Sequence, residues 1–267
     1  MPRPAIDGRA LLRWVLLELP ETPWPGGAPF VGLVYVDPDA GLSAKGWRDG
    51  APDESKLTVR LPIGAPGRLL TDDEVASRGL PAEPDWLVHY GPQPTLDAPW
   101  RHDPALLERL HRSYPDDVQV VVHDGEPRRT RRRTEACWVR IDGWEDGPPR
   151  PVTGREPQTR VYRATLISKP HHLESIAAGG RLRLIAGSGG RYPVMVTDLY
   201  LDERPAWRFT PCTGCGLHEG LDPPTVMAAT RFPELEAEAR PLMFTARCTA
   251  CDGMLEVTRT DLPVDVA

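Results

Sequence analysis

The sequence predicts an α+β protein rich in β-structure, with a small central β domain followed by a C-terminal zinc ribbon. Two observations support this fold class. The 31 prolines and 24 glycines divide the apolar segments of the 267-residue chain into short pieces, which leaves little room for long helices or a large doubly wound sheet. Two Cys-x-x-Cys pairs near the C-terminus, Cys212 with Cys215 and Cys248 with Cys251, have the spacing of a metal site.

Residues 1–127 are predicted to form an N-terminal α+β region. The apolar run at 9–19 fits either an amphipathic helix or a buried strand, and we favour the helix. Strand patterns follow at 30–36 and 57–61, where they are bounded by turn residues. The region therefore opens with short elements and long loops.

Two further helices are predicted before the central domain. Thr71 and Glu74 have the spacing of a capping box, in which each side chain can satisfy the other residue's free amide, so a short helix should begin there. Residues 102–114 offer an N-cap at Asp103, a proline at the first helical position and leucines on one face. A helix is therefore expected over that range.

Residues 128–204 are predicted to form the small central β domain, and residues 205–267 the ribbon. Short apolar segments separated by Gly, Pro and Asp turns indicate a small closed or half-closed sheet. These strand segments are 118–123, 137–141, 160–167, 181–185 and 193–199.

The two cysteine pairs predict one structural Zn²⁺ ion bound by all four sulfurs. They are separated by 32 residues, and Gly216 and Gly253 follow them closely. A Cys-x-x-Cys turn points both sulfurs at one metal, and a nearby glycine relieves the tight turn. Strand patterns at 207–210, 242–246 and 254–258 flank the pairs, as in a zinc ribbon. Four thiolates complete a tetrahedron and leave no open position for catalysis.

Other chemistries for these cysteines fit less well. A redox Cys-x-x-Cys usually occurs once, at the start of a helix in a βαβ unit, and no such pattern is present. Disulfides would require an oxidising compartment, whereas the paired spacing suits metal and no secretory segment is recognisable. We therefore expect a cytoplasmic protein. His218 lies three residues after Cys215, and we expect it to be a surface residue rather than a substitute ligand.

Composition limits the classes of partner. The formal net charge of −6 gives no overall attraction to nucleic acid or to an anionic membrane. The apolar stretch at 10–19 carries Arg13 and Glu18 and ends at Pro20, so it is too short and too charged to span a membrane. We expect no membrane partner.

An arginine run is the candidate nucleic-acid site. It places five positive charges in six residues, which could contact phosphates. Arginine is abundant throughout this chain, however, and Asp124, Glu126 and Glu135 lie close to the run, so a solvated loop is the favoured interpretation. The residues of the run are Arg128, Arg129, Arg131, Arg132 and Arg133.

No catalytic constellation is recognisable in the sequence. His171 and His172 are adjacent, so in an extended segment they point to opposite faces and cannot easily bind one metal. Cys137 lies in an apolar strand and is expected to be a small buried residue. A hydrolase or transferase that uses a cluster of His123, His171 and His172 remains an alternative that only three-dimensional proximity can test.

The segments 135–141, 162–170 and 173–184 resemble a bacterial family of small β domains, some of which are found near polymorphic-toxin immunity proteins. The family pattern has asparagine before a proline where this chain has Lys169, and a Gly-Asp turn where this chain has Gly179 and Gly180. The resemblance covers about fifty residues of this sequence. It implies an interaction or immunity-like role and supplies no catalytic residues.

Together these patterns predict a non-enzymatic, zinc-containing protein that binds a macromolecular partner, with another protein as the expected partner. The alternative is a nucleic-acid-binding protein that uses the ribbon and the arginine run. Salt dependence would separate these two, because contacts to phosphates weaken steeply as salt rises.

Overall fold

The computed structural model describes residues 5–6, 10–18, 28–51, 56–61, 65–94, 98–147, 160–187 and 189–260. The chain forms two compact units. The first unit contains Met1–Asp103 and Leu110–Asp116, and the second contains Pro104–Arg109 and Asp117–Ala267. The domain boundaries predicted at 127/128 and 204/205 both lie within the second unit.

The first unit is built on a six-stranded antiparallel sheet with the order β1-β6-β2-β3-β4-β5. Neighbours in sequence pair from β2 to β5, and β6 returns to lie beside β2. The strands are β1 (Ala5–Ile6), β2 (Trp14–Leu17), β3 (Phe30–Asp37), β4 (Gly41–Arg48), β5 (Leu57–Arg60) and β6 (Ala65–Leu69).

The helix predicted over 9–19 is wrong, because its described residues form a turn followed by strand β2. This strand is apolar on both faces. Val15 and Leu17 pack into one core cluster, whereas Trp14 and Leu16 pack with a second, aromatic-rich cluster. A strand that is buried on both faces has a continuous run of apolar residues and lacks the usual alternation of apolar and polar residues. Its sequence therefore cannot be distinguished from that of a buried helix by periodicity.

The capping-box helix is confirmed as α1 (Asp72–Ser77). Thr71 accepts a hydrogen bond from the Glu74 amide, and the Glu74 carboxylate accepts one from the Thr71 amide. Arg68 donates to the same carboxylate, and its guanidinium is the largest of the causes that lower the pKa of Glu74 to about 2. The helix is therefore fixed by local contacts that can be read from sequence.

The helix predicted over 102–114 is also wrong. The chain forms a 3-10 helix at Pro99–His102, then turns at 104–109 and bends at 112–114. Leu106 is fully buried while Leu107 is 53% exposed. The reason lies in the packing, since 104–109 belongs to the second unit and the residues on either side of it belong to the first. Elsewhere in the described part of the chain, 3-10 helices form at Asp85–Tyr90, Arg204–Ala206 and Ala237–Ala239.

The second unit contains a closed barrel of five strands in the order β10-β11-β7-β8-β9, which confirms the small closed sheet expected from the sequence. Strand β11 pairs with β7 in parallel and the other pairings are antiparallel. The register between β8 and β9 shifts between Ile141 and Gly143, at a β-bulge. The strands are β7 (Asp117–Val122), β8 (Glu135–Asp146), β9 (Arg160–Leu166), β10 (Arg181–Ile185) and β11 (Val194–Val196).

A three-stranded sheet with the order β12-β14-β13 completes the second unit, and it shares one core with the barrel. Ile185 and Val196 from the barrel belong to the same buried cluster as Phe209, Phe244 and Val257 from the sheet. The strands are β12 (Trp207–Phe209), β13 (Met243–Arg247) and β14 (Met254–Arg259), and the helices of this unit are α2 (Pro127–Thr130), α3 (Asp198–Glu203) and α4 (Pro224–Arg231). Among the described residues, no helix has both the length and the apolar character needed to cross a membrane.

A buried ion pair fixes the segment that follows the first cysteine pair. The guanidinium of Arg204 contacts both carboxylate oxygens of Glu219, with Nη2 to Oε1 at 2.7 Å and Nε to Oε2 at 3.1 Å. The hydroxyl of Tyr200 donates to the same carboxylate. All three residues are buried. Breaking such a pair leaves an uncompensated buried charge, which is strongly destabilising. The contact with Arg204 therefore holds Glu219 in place.

His123 follows strand β7 and is fully buried as a neutral imidazole. Its Nε2 lies 3.0 Å from the carbonyl oxygen of Met195, which can only accept, so Nε2 carries the proton. Its Nδ1 accepts a hydrogen bond from the amide of Gly125 at 3.0 Å. Burial lowers the pKa of His123, because the charged ring would lose its hydration and protonation of Nδ1 would break the bond to Gly125.

This geometry predicts a pH dependence of stability. The unfolded chain protonates His123 near pH ~6.5, whereas the folded chain keeps it neutral to lower pH. Stability from this residue is therefore complete above that pH and is lost as pH falls through the folded pKa, by up to about 1.4 kcal/mol per pH unit. His123→Gln should flatten the fall of Tm in acid, and His171→Gln, at an exposed residue, should not. Equal acid dependence in wild type and His123→Gln would contradict this.

Candidate metal centre

The first cysteine pair forms a tight turn whose backbone closes on itself. The amide of Gly216 donates to the carbonyl of Cys212 at 2.9 Å, and the amide of Cys212 donates to the carbonyl of Leu217 at 2.9 Å. Gly216 has φ +72°, in the left-handed region that glycine adopts without strain. The turn is therefore closed by hydrogen bonds between Cys212 and the residues four and five positions after it.

The second pair repeats this arrangement at equivalent positions. The amide of Asp252 donates to the carbonyl of Cys248 at 2.9 Å, and the amide of Cys248 donates to the carbonyl of Gly253 at 2.6 Å. Here Asp252 takes the left-handed conformation, with φ +61°. The sequence pattern predicts that Gly253 relieves this turn, but the left-handed residue lies one position earlier. Aspartate is among the few other residues that tolerate this conformation.

Two glycines allow the turns to face each other closely. A side-chain carbon at Gly253 would lie 2.7 Å from the Cys212 sulfur, and one at Gly214 would lie 2.9 Å from the Cys251 sulfur. Each glycine thus lies against a sulfur of the opposite pair. Gly253 is needed for this close approach, and this reason could not be read from the sequence.

The four sulfurs lie close enough together to share one metal ion. All of them lie within 4.8 Å of one another, with Cys212 to Cys251 at 3.5 Å and Cys215 to Cys248 at 3.9 Å. Four sulfurs bound to one zinc ion at about 2.3 Å would be about 3.8 Å apart. The cluster can therefore hold a metal ion with little movement of the side chains.

Electrostatics around the sulfurs also favour a cation. Burial opposes ionisation of Cys212, but the amides of Cys215 and Gly214 donate to its sulfur, and the pKa of its thiol is lowered to about 7. Burial raises the pKa of Cys215 and of Cys248, and for Cys248 the charges of the other three sulfurs add to the effect. Four thiolates this close repel one another, and a bound cation offsets that repulsion.

Exposure differs among the four positions. Cys212 and Cys248, the first cysteine of each pair, are buried, Cys215 is half-buried and Cys251 is exposed. His218 is exposed and lies outside the group of residues whose ligand atoms converge. The fifth cysteine, Cys137, is buried in strand β8, where burial raises the pKa of its thiol, as expected for a small core residue.

The arginine run lies on helix α2 and the segment after it, and much of its charge is engaged. Arg128 is the most buried member. Its amide donates to the Asp222 carboxylate at 3.0 Å, its Nε lies 3.4 Å from the same carboxylate, and its Nη2 donates to the carbonyl of Arg247, next to the second cysteine pair. Burial raises the pKa of Asp222 to about 6, although Arg128 opposes this shift. Arg128 therefore has a structural role beside the metal centre.

The rest of the run is more exposed. Arg129 pairs with Glu126 at 2.6 Å, and Arg132 pairs with Asp124 at 3.1 Å and Glu174 at 2.6 Å. Arg131 and Arg133 are exposed and make no ion pair with the described residues. The run therefore presents fewer unpaired charges than its sequence suggests.

Among the described residues, His123, His171 and His172 form no cluster with acidic side chains that could hold a metal ion. His123 is buried, with both ring nitrogens bonded to backbone groups. His171 and His172 are exposed, and their backbone amides donate to the carboxylate of Glu135.

No family model, curated protein or solved structure matches this chain.

Gly253 and Asp252 offer a matched pair of neighbouring substitutions. Gly253→Ala should place a methyl group against the Cys212 sulfur and the Gly214 amide, each 2.7 Å from the new carbon, and overpacking of this kind costs about 1–3 kcal/mol. Asp252→Gly should be neutral or slightly stabilising, because glycine adopts φ +61° without strain. Thermal unfolding of the two variants would check this, and an equal Tm for both would contradict it.

Proposed function

We propose that this chain is a non-enzymatic protein that holds one structural zinc ion and binds a macromolecular partner, with another protein as that partner. The observation that carries the zinc assignment is the convergence of Cys212, Cys215, Cys248 and Cys251 within 4.8 Å. Zinc and iron both accept four sulfurs in a tetrahedron, and zinc is the usual ion where two Cys-x-x-Cys turns are followed by short strands.

The zinc ion would supply stability to a small sheet. Strands β12, β13 and β14 contain only three, five and six residues. A bound ion joins the loop after β12 to the loop between β13 and β14. In model zinc fingers such binding contributes about 10–16 kcal/mol to folding. The metal is therefore structural in this proposal, and thiolate ligands fit the reducing conditions of the cytoplasm.

A closed site supports binding rather than catalysis. All four corners of the tetrahedron would be occupied by protein sulfur, so neither water nor substrate can reach the metal. The resemblance of residues 135–185 to small β domains near polymorphic-toxin immunity proteins supports an immunity-like form of this role.

A protein partner is favoured over nucleic acid because of the contacts of the arginine run. Arg128 is directed at Asp222, and Arg132 at Asp124 and Glu174. Phosphate binding would have to compete with these carboxylates for the same guanidinium groups. The formal net charge of −6 also opposes a polyanion.

Metal analysis tests the zinc assignment. The purified chain should contain one zinc ion per molecule. Cys248→Ser should lose it and make residues beyond Arg204 sensitive to protease, because three thiolates no longer close the site. Cys137→Ala is the matched control, since this cysteine lies outside the cluster, and it should retain the zinc. Iron in place of zinc, no metal, or loss of zinc in the control would contradict the assignment.

Affinity capture from the native host tests the binding role. The bait should retain a protein partner at raised salt, because apolar contacts are less sensitive to screening than phosphate contacts are. In parallel, the chain should bind duplex and single-stranded nucleic acid only weakly at about 150 mM salt. Submicromolar nucleic-acid binding that is abolished by Arg131→Ala, Arg132→Ala and Arg133→Ala together would favour the nucleic-acid alternative instead.

A further inference from the structure

An open groove of about 1020 Å³ lies on the second unit, beside strands β9 and β10 and the start of helix α3. Its lining includes Arg163, Arg181, Arg183, Asp142, Asp198 and Leu199. Small-molecule sites usually enclose about 300–1,000 Å³ and are mostly apolar. An open groove with this charged lining is better suited to an extended segment of a macromolecule.

Two arginines of the groove face each other across neighbouring strands. Arg163 on β9 is directly opposite Arg183 on β10 in the strand register. Like charges in directly opposite positions destabilise a sheet. Arg183 is compensated by Asp198 at 2.8 Å and Glu145 at 3.5 Å. Within the described part of the chain, neither Arg163 nor Arg181 forms an ion pair, and both side chains are exposed.

A glycine at the β-bulge leaves room for one of these guanidinium groups. A side-chain carbon at Gly143 would lie 2.5 Å from Nη2 and 2.9 Å from Nε of Arg163. The Arg163 guanidinium therefore lies against the backbone of β8, where its freedom is reduced before any ligand arrives. Such preorganisation lowers the entropy cost of binding a carboxylate.

The groove also has an apolar edge. Leu199, in the first turn of α3, is 45% exposed, and Met195 on β11 is half-buried beside it in the lining. Leu199 lies in the same lining as Arg163 and Arg181. A ligand could therefore place an apolar side chain on the leucine and acidic side chains on the two arginines. The surface thus combines the two kinds of contact found at protein interfaces.

We propose that this groove binds an acidic segment of a partner protein, with carboxylates on Arg163 and Arg181 and an apolar side chain against Leu199. The inference rests on the proposed binding role and gives it a location. A single-stranded nucleic acid fits the groove less well than an acidic peptide with apolar side chains. No aromatic side chain is present among the lining residues to stack on bases.

The test uses a short synthetic peptide of alternating glutamate and leucine, titrated into the full-length protein at low salt. The double variant Arg163→Glu with Arg181→Glu should bind it at least about tenfold more weakly than wild type, which corresponds to about 1.4 kcal/mol. Arg133→Glu is the matched control, because Arg133 is an exposed arginine of the same unit outside the groove lining, and it should bind like wild type.

Gly143→Ala probes the same site without changing charge. Its methyl group should displace the Arg163 guanidinium and weaken peptide binding about two- to fivefold, a loss of up to about 1 kcal/mol. The Tm of Arg163→Glu should equal or exceed that of wild type, because the substitution places a carboxylate opposite Arg183. Weaker binding with undiminished stability would show that the loss does not come from misfolding.

Several outcomes would contradict the proposal that the groove binds an acidic segment. These are equal peptide affinity in wild type and the double variant, equal affinity for a peptide in which lysine replaces glutamate, or tighter binding of a single-stranded oligonucleotide than of the acidic peptide. Capture of the same host partner by wild type and the double variant would show that the partner does not bind through the groove. The proposed binding of a protein partner would then be unaffected. Failure of wild type to capture any partner would instead count against the proposed function itself.

Discussion

The meeting of four cysteine sulfurs is the constraint on which the C-terminal part of the structure depends. Two turns, far apart in sequence, present the same pattern of backbone hydrogen bonds and face each other across a space that Gly214 and Gly253 keep open. Four thiolates at these separations would repel one another. A cation held by the four sulfurs would offset this repulsion, so metal binding here would be coupled to folding.

The consequences of that coupling extend beyond the three-stranded sheet. Cys212 and Cys248 belong to the same buried cluster as Ile185 and Val196 of the barrel, so the four-cysteine cluster and the barrel share a core. The ion pair between Arg204 and Glu219 fixes the chain just after the first pair, and Arg128 reaches the residue before the second. Disturbance at the sulfurs should therefore be transmitted to the barrel.

Features that depend on sequence spacing could be predicted from the sequence, and features that depend on contacts between distant segments could not. The capping box at Thr71, the short strands of the barrel and the convergence of the cysteine pairs follow from spacing alone, because each depends on neighbours in sequence or on one shared ligand. The helix predicted over 9–19 failed because a strand apolar on both faces loses its alternation. The role of Gly253 was missed because it depends on what the opposite turn places nearby. The left-handed Asp252 was missed because a glycine, the usual residue for that conformation, follows it directly.

Arginine shows how little a sequence run says about charge that is available for binding. In the run at 128–133, carboxylates pair with Arg128, Arg129 and Arg132. Arg131 and Arg133 are exposed and form no ion pair with a described residue. Arg163 and Arg181 are separated by a long segment of chain, yet adjacent strands bring them to one groove, where no ion pair with described residues compensates them. A sheet that places Arg163 opposite Arg183 gives up some stability, and natural sequences tolerate such conflicts mainly where a function requires them. The groove, where the sequence shows no cluster, therefore holds as many arginines without an ion pair to described residues as the conspicuous run does.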